Sequence, residues 1–101
     1  MTARSFFEEL PAEVDEKQLA GLDQSYLFDI EGEGKWLVVI RDGKLAVSED
    51  GDAKADVTIA TTSETFDKLA SGKQNPATAY MTGKLKVTGD LGAALKLQKL
   101  F

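Results

Sequence analysis

Apolar residues change their spacing several times along this chain, and each change marks an element. In Ser5-Phe6-Phe7-Glu8-Glu9-Leu10 the large apolar residues share one helical face, which predicts a short amphipathic helix, with Pro11 ending it or beginning the next segment. The stretch from Ala12 to Gly21 is acidic, with Val14 and Leu19 as its apolar points, and predicts a second short helix closed by Gly21. From Tyr26 the period changes. Aromatic and β-branched residues cluster in Leu27-Phe28-Asp29-Ile30 and in Trp36-Leu37-Val38-Val39-Ile40, separated by the turn Glu31-Gly32-Glu33-Gly34, which predicts a hairpin. Asp42-Gly43 is the residue pair of a tight primed turn and leads into a third strand, Leu45-Ala46-Val47. After another turn at Glu49-Asp50-Gly51-Asp52, Asp56-Val57-Thr58-Ile59-Ala60-Thr61 alternates as a fourth strand with Val57 and Ile59 inward.

Helical spacing then returns. Ser63 is a suitable N-cap, Glu64 sits where the helix dipole favours an acid, and Phe66, Leu69 and Ala70 share a face before Gly72 ends the helix. Asn75-Pro76 starts the next one, with Asn as cap and Pro in first position, grouping Ala77, Tyr80 and Met81 ahead of Gly83. In Lys84-Leu85-Lys86-Val87-Thr88 the lysines point one way and the apolar side chains the other, so one sheet face is solvated and the other covered. Gly89-Asp90 leads into a final helix from Leu91 to Phe101, whose apolar positions Leu91, Leu95, Leu97, Leu100 and Phe101 form a band wider than one packing face needs. Helices, four strands, two helices, a strand and a helix are segregated rather than alternating, so the class is α+β with five strands.

A length of 101 residues, 43% apolar and 29% charged, suits one compact domain spanning the whole chain. Net charge is −5, which argues against nucleic acid, whose binding rests on neutralising phosphates. The distribution is uneven: residues 1–33 hold nine acids against Arg4 and Lys17, whereas residues 84–101 hold Lys84, Lys86, Lys96 and Lys99 against Asp90. That basic end could meet solvent, the acidic end, or an anionic head group, which leaves room for transient membrane contact. The first ten residues carry Arg4, Glu8 and Glu9 rather than a secretory apolar stretch, and the C-terminal Lys99-Leu100-Phe101 is no peroxisomal address. We expect a cytoplasmic protein.

Chemistry is scarce. With neither Cys nor His, thiolate nucleophiles, imidazole bases and the common zinc and haem ligands are missing. Each of the four Gly-Lys pairs lacks the preceding glycine of a P-loop, and there is no Gly-x-Ser-x-Gly elbow. The acidic turn at 49–52 lacks the spacing and closing Glu of a calcium loop. The expectation is a protein that is not an enzyme and takes no metal or cofactor. What remains is a surplus of large apolar side chains over the helices, which periodicity alone assigns to an ordinary packed core, although the pattern does not separate a filled core from a hollow one.

Leu69-Ala70-Ser71-Gly72-Lys73-Gln74-Asn75-Pro76-Ala77-Thr78-Ala79-Tyr80-Met81 and Gly83-Lys84-Leu85-Lys86-Val87-Thr88-Gly89-Asp90 together resemble the signature of the sterol carrier protein type 2 family. The similarity continues through Ala93-Ala94-Leu95-Lys96-Leu97-Gln98 and reaches back, more weakly, to Trp36, covering about two thirds of the chain. The resemblance implies a five-stranded, mixed but largely antiparallel sheet covered on one face by helices. Between them would run an apolar tunnel taking fatty acids, acyl-CoA, sterols or other lipids, without a cofactor. On matching positions, Phe66, Leu69, Tyr80, Met81, Leu85, Val87, Leu95 and Leu97 would border the tunnel or its supporting core, Gln98 would lie near its mouth, and Phe6, Phe7 and Leu10 would add a wall. A module of the same fold with a filled tunnel, serving as an accessory or dimerisation surface, is the alternative.

Overall fold

The computed structural model describes residues 3–19, 21–49 and 54–96. In chain order the elements are α1 (Ala3–Glu13), α2 (Glu16–Leu19), β1 (Ser25–Glu31), β2 (Gly34–Arg41), β3 (Lys44–Ser48), β4 (Val57–Thr62), α3 (Ser63–Ala70), α4 (Pro76–Met81), β5 (Leu85–Gly89) and α5 (Leu91–Lys96). The strands form one sheet in the order β3-β2-β1-β4-β5. Its two central strands, β1 and β4, are parallel, and every other neighbouring pair is antiparallel. This is the five-stranded mixed α+β architecture that the sequence implies.

Alternation decides which side chains the helices cover. Register aligns Trp36, Phe28, Ile59 and Val87 across β2, β1, β4 and β5, with Val38, Tyr26 and Val57 in the adjoining row. These residues join Phe6, Phe7 and Leu10 of α1, Phe66 and Leu69 of α3, Ala79 of α4 and Ala93 of α5 in a single core cluster, with Val87 at its margin. The helices therefore pack on one face, while Lys86 and Thr88 of β5 point to the other and are exposed. The turn between β2 and β3 has positive φ at both Asp42 (54°) and Gly43 (74°), as a type I′ hairpin demands.

Several boundaries differ from the sequence expectation. Pro11 does not end α1; it lies inside the helix, which runs to Glu13. A proline there removes one hydrogen bond near the C-terminal end, a cost of about 3 kcal/mol. Burial of Phe6, Phe7 and Leu10, at about 1.5–3 kcal/mol each, outweighs it. The second helix is confined to Glu16–Leu19 and is followed by Gly21 at φ 84°. Thr62, not Ser63, caps α3: its extended backbone lets its side chain accept from the Thr65 amide at 3.2 Å. In α4 the buried residue is Ala79, while Tyr80 and Met81 face outward, and in α5 Ala93 is buried while Leu91 is exposed.

Both α3 and α4 end in the same way. Gly72 and Gly83 take φ 79°, and the following lysines donate back five residues, Lys73 N to Lys68 O at 2.8 Å and Lys84 N to Ala79 O at 2.9 Å. Gly72 N and Gly83 N complete the two Schellman turns by donating to Leu69 O and Tyr80 O. Two of the four Gly-Lys pairs are thus helix stops.

Candidate functional site

The helix-covered face gathers aromatic rings around Phe7, which is fully buried. Its ring stacks on Trp36 of β2 at 5.1 Å and on Phe66 of α3 at 5.3 Å, and meets Phe28 of β1 at 5.0 Å. Phe6 adds edge-on contacts to Phe7 at 5.3 Å and to Phe66 at 5.2 Å. One turn of α1 thereby ties the sheet to α3 through rings, with Leu10 and Leu69 buried beside them.

A cleft of about 210 Å³ leads to this cluster from the side of β3. Phe7, Pro11, Trp36 and Val47 form its apolar walls, and Glu8, Ser48 and Glu49 its polar rim. Arg4 of α1 forms an ion pair with Glu49 just past the end of β3. Both side chains are more than half exposed, so the pair contributes little stability. A second cavity, of about 410 Å³, is of another character: it is lined by Asp29, Glu31, Lys84 and Lys86 around Ala60 and Thr62, which suits polar groups rather than a hydrocarbon chain.

Tyr26 supplies a polar group on the covered face. Its hydroxyl donates to the Ala93 carbonyl of α5 at 3.0 Å and also contacts Gln24 Oε1 at 3.4 Å. Burial, reinforced by the negative charges of Asp56 and Asp90, raises its pKa above the ordinary phenol value, so the hydroxyl keeps its proton. Asp90 in turn caps α5 by accepting from the Ala93 amide at 3.2 Å.

The chain matches the SCP-2 sterol transfer family over residues 5–101. It belongs to that family. It is 37% identical over 106 aligned residues to human "Sterol carrier protein 2", an alignment covering 97% of this chain and 19% of the human protein. The chain thus spans about a fifth of the length of that curated relative. Its fold superposes on the sterol carrier protein domain 2 of Helicoverpa armigera with a TM-score of 0.76 at 32% identity, covering 95% of this chain and 80% of the other. A palmitated SCP2L2 from Aedes aegypti has the same fold, with a TM-score of 0.80 at 22% identity over 99% of this chain and 94% of that one.

Of the residues that the family resemblance nominates, Phe6, Phe7, Leu10, Phe66, Leu69 and Leu85 come together in the core, and Val87 packs at its margin. Tyr80 and Met81 do not join them, being 40% and 83% exposed. The reason is the phase of α4, which turns Ala79 inward against the cluster. The Leu95 side chain, Leu97 and Gln98 lie outside the described residues. Sequence reasoning did not nominate Phe28, Trp36 or Tyr26 for the site. Strand alternation was the available signal, since Tyr26, Phe28 and Ile30 share a face.

Proposed function

We propose that this domain binds a lipid with its apolar part between helices and sheet and transfers it between membranes without chemical change. The observation that carries the proposal is the open cleft whose inner wall is Phe7 and Trp36, which lies directly over the buried aromatic cluster. Membership of a sterol transfer family supports it. The bound tail would be lined by Phe6, Phe7, Leu10, Phe66, Leu69, Leu85 and Val87, with Phe28 and Trp36 forming the floor on the sheet.

At about 210 Å³ the cleft is smaller than the roughly 300–1,000 Å³ typical of small-molecule sites, so uptake requires α1 to shift and widen it, or α5 to open over β4 and β5. Burying an acyl chain at about 0.8 kcal/mol per methylene gives on the order of 10 kcal/mol gross, enough to offset such a shift and still reach micromolar affinity. A site of this kind reads hydrocarbon and little else, so fatty acids, acyl-CoA and sterols compete for it. The palmitated state of the Aedes aegypti relative makes a C16 fatty acid a reasonable first probe.

The test is titration of delipidated protein with a fluorescent fatty acid, followed by displacement with unlabelled lipids and by thermal melts with and without them. Saturable binding, competition and a raised Tm are expected. No saturable signal and no shift across fatty acid, acyl-CoA and sterol would overturn the proposal.

A further inference from the structure

The polar cavity on the sheet has no part in lipid carriage. Asp29 and Glu31 of β1, Ala60 and Thr62 of β4 and Lys86 of β5 line it. These residues alternate with Phe28, Ile30, Ile59 and Leu85 of the core, so they stand on the sheet face that no described helix covers. Register sets Asp29, Ala60 and Lys86 in one row across three strands, with Glu31 beside Thr62 at the C-terminal ends of the two parallel strands. Two acids thus face Lys84 and Lys86 from roughly 9–10 Å away, which is two strand spacings, and the small side chain of Ala60 leaves the space between them open. Its volume of about 410 Å³ falls within the roughly 300–1,000 Å³ of small-molecule sites. None of the four charged side chains forms an ion pair among the described residues, and Lys35, opposite Asp29 on β2, lies outside the cavity. The basic side is anchored through its backbone: Lys84 N donates to Ala79 O at 2.9 Å, and Lys84 O accepts from the Thr61 hydroxyl at 2.8 Å. Thr65 lines the same end. Its hydroxyl accepts from that of Thr62 at 3.1 Å and keeps its own proton to donate to a ligand.

We propose that this cavity binds a small zwitterion, a free α-amino acid, with its ammonium group against Asp29 and Glu31 and its carboxylate against Lys84, Lys86 and the Thr65 hydroxyl. Charge balance carries the choice. Two carboxylates and two ammonium groups attract neither a simple anion nor a simple cation, whereas a ligand bearing both signs meets each pole with charge-assisted hydrogen bonds. The dimensions agree. An amino acid from nitrogen to carboxylate oxygen, with one such bond at each end, spans roughly 8–9 Å, close to the separation of the two poles. Lys84, Lys86 and Glu31 are exposed, so water and salt compete for them and binding is weak. The sheet itself separates this cavity from the aromatic cluster, and the inference stands whether or not the protein carries lipid.

Titration of isotope-labelled protein with glycine and with L-glutamine, read by amide chemical shifts, tests it. Saturable shifts at the Ala60, Thr62 and Lys86 amides are expected at millimolar concentrations and should weaken as salt rises. N-acetylglutamine keeps only the negative pole and glutaminamide only the positive one, and each should bind about tenfold more weakly than glutamine. Asp29→Asn and Lys86→Gln should weaken glutamine binding by about the same factor. Ala60→Leu, which fills the space between the poles without altering charge, should abolish it. The spectra themselves show whether each variant is folded. No saturable shift with either amino acid, equal binding of the single-pole analogues, or variants that bind as the natural protein does overturns the site. None of these substitutions touches the aromatic cluster, so zwitterion binding and lipid uptake fail independently.

Discussion

Gly89 faces Val57 across β4 and β5 with φ at 107°, and a Cβ placed there would lie 2.3 Å from the Asp56 carbonyl oxygen. Backbone rather than a flexible side chain stands in the way, so the strain has no easy outlet. Gly89→Ala should therefore destabilise the protein by about 2–3 kcal/mol in a denaturant melt. Tyr26 gives a second prediction, this time dependent on pH. Its folded pKa is raised above 10.0, first by burial and then by Asp56 and Asp90. The unfolded chain therefore ionises this phenol at a lower pH than the folded one does. The resulting stability is present in full below about pH 10 and is lost as pH rises through the higher folded value. Tyr26→Phe should cost about 1 kcal/mol at neutral pH, where it removes the hydrogen bond to Ala93. It should also flatten the decline of Tm at alkaline pH relative to the natural protein. A parallel decline in both proteins would show that Tyr26 does not govern it.

Elements were legible wherever the pattern is local. The hairpin strands, the Asp42-Gly43 turn, the Asn75-Pro76 start and the glycine stops at Gly72 and Gly83 all rest on short-range geometry, and they are found where the residues place them. Pro11 was misread because its local cost is visible in the sequence, while the burial of Phe6 and Phe7 that outweighs it depends on partners far along the chain. Met81 was misplaced for the opposite reason: helical spacing groups it with Ala77 and Tyr80, but a six-residue helix follows no apolar stripe when one alanine makes the buried contact. The proposed site can be compared with the sequence expectation only by where its residues lie. The nominated Phe6, Phe7, Leu10, Phe66, Leu69 and Leu85 lie in the core cluster with Val87 at its margin, whereas Phe28 and Trp36 passed as ordinary strand residues until register set them opposite each other. At this scale we propose α5 as the helix that opens to admit lipid. It is held by the Tyr26 hydroxyl at Ala93 and by the Asp90 cap. Hydrogen exchange should show its amides less protected than those of Val57 to Ala60 without lipid, with protection gained on binding. Equal protection in both states would identify α5 as a fixed wall and leave α1, beside the cleft at β3, as the element that moves.

For the whole molecule, the decisive arrangement is that one aromatic cluster serves as both structural core and proposed binding surface. Stability and binding are then coupled: lipid contacts replace ring contacts, and a bound tail should raise Tm even though the helices shift to admit it. The central parallel pair has a different consequence, which concerns synthesis. β1, β2 and β3 follow one another through short turns and can pair as soon as they emerge from the ribosome. The other side of β1 must wait for β4, because Phe28 pairs with Ile59, about thirty residues later in the chain. Phe66, the ring that closes over Phe7, comes later still. At ordinary translation rates of about 5–20 residues per second, a nascent chain thus presents an unpaired β1 edge beside uncovered Phe28 and Trp36 for a time on the order of seconds. That interval, rather than any weakness of the finished fold, is when the protein is most exposed to aggregation.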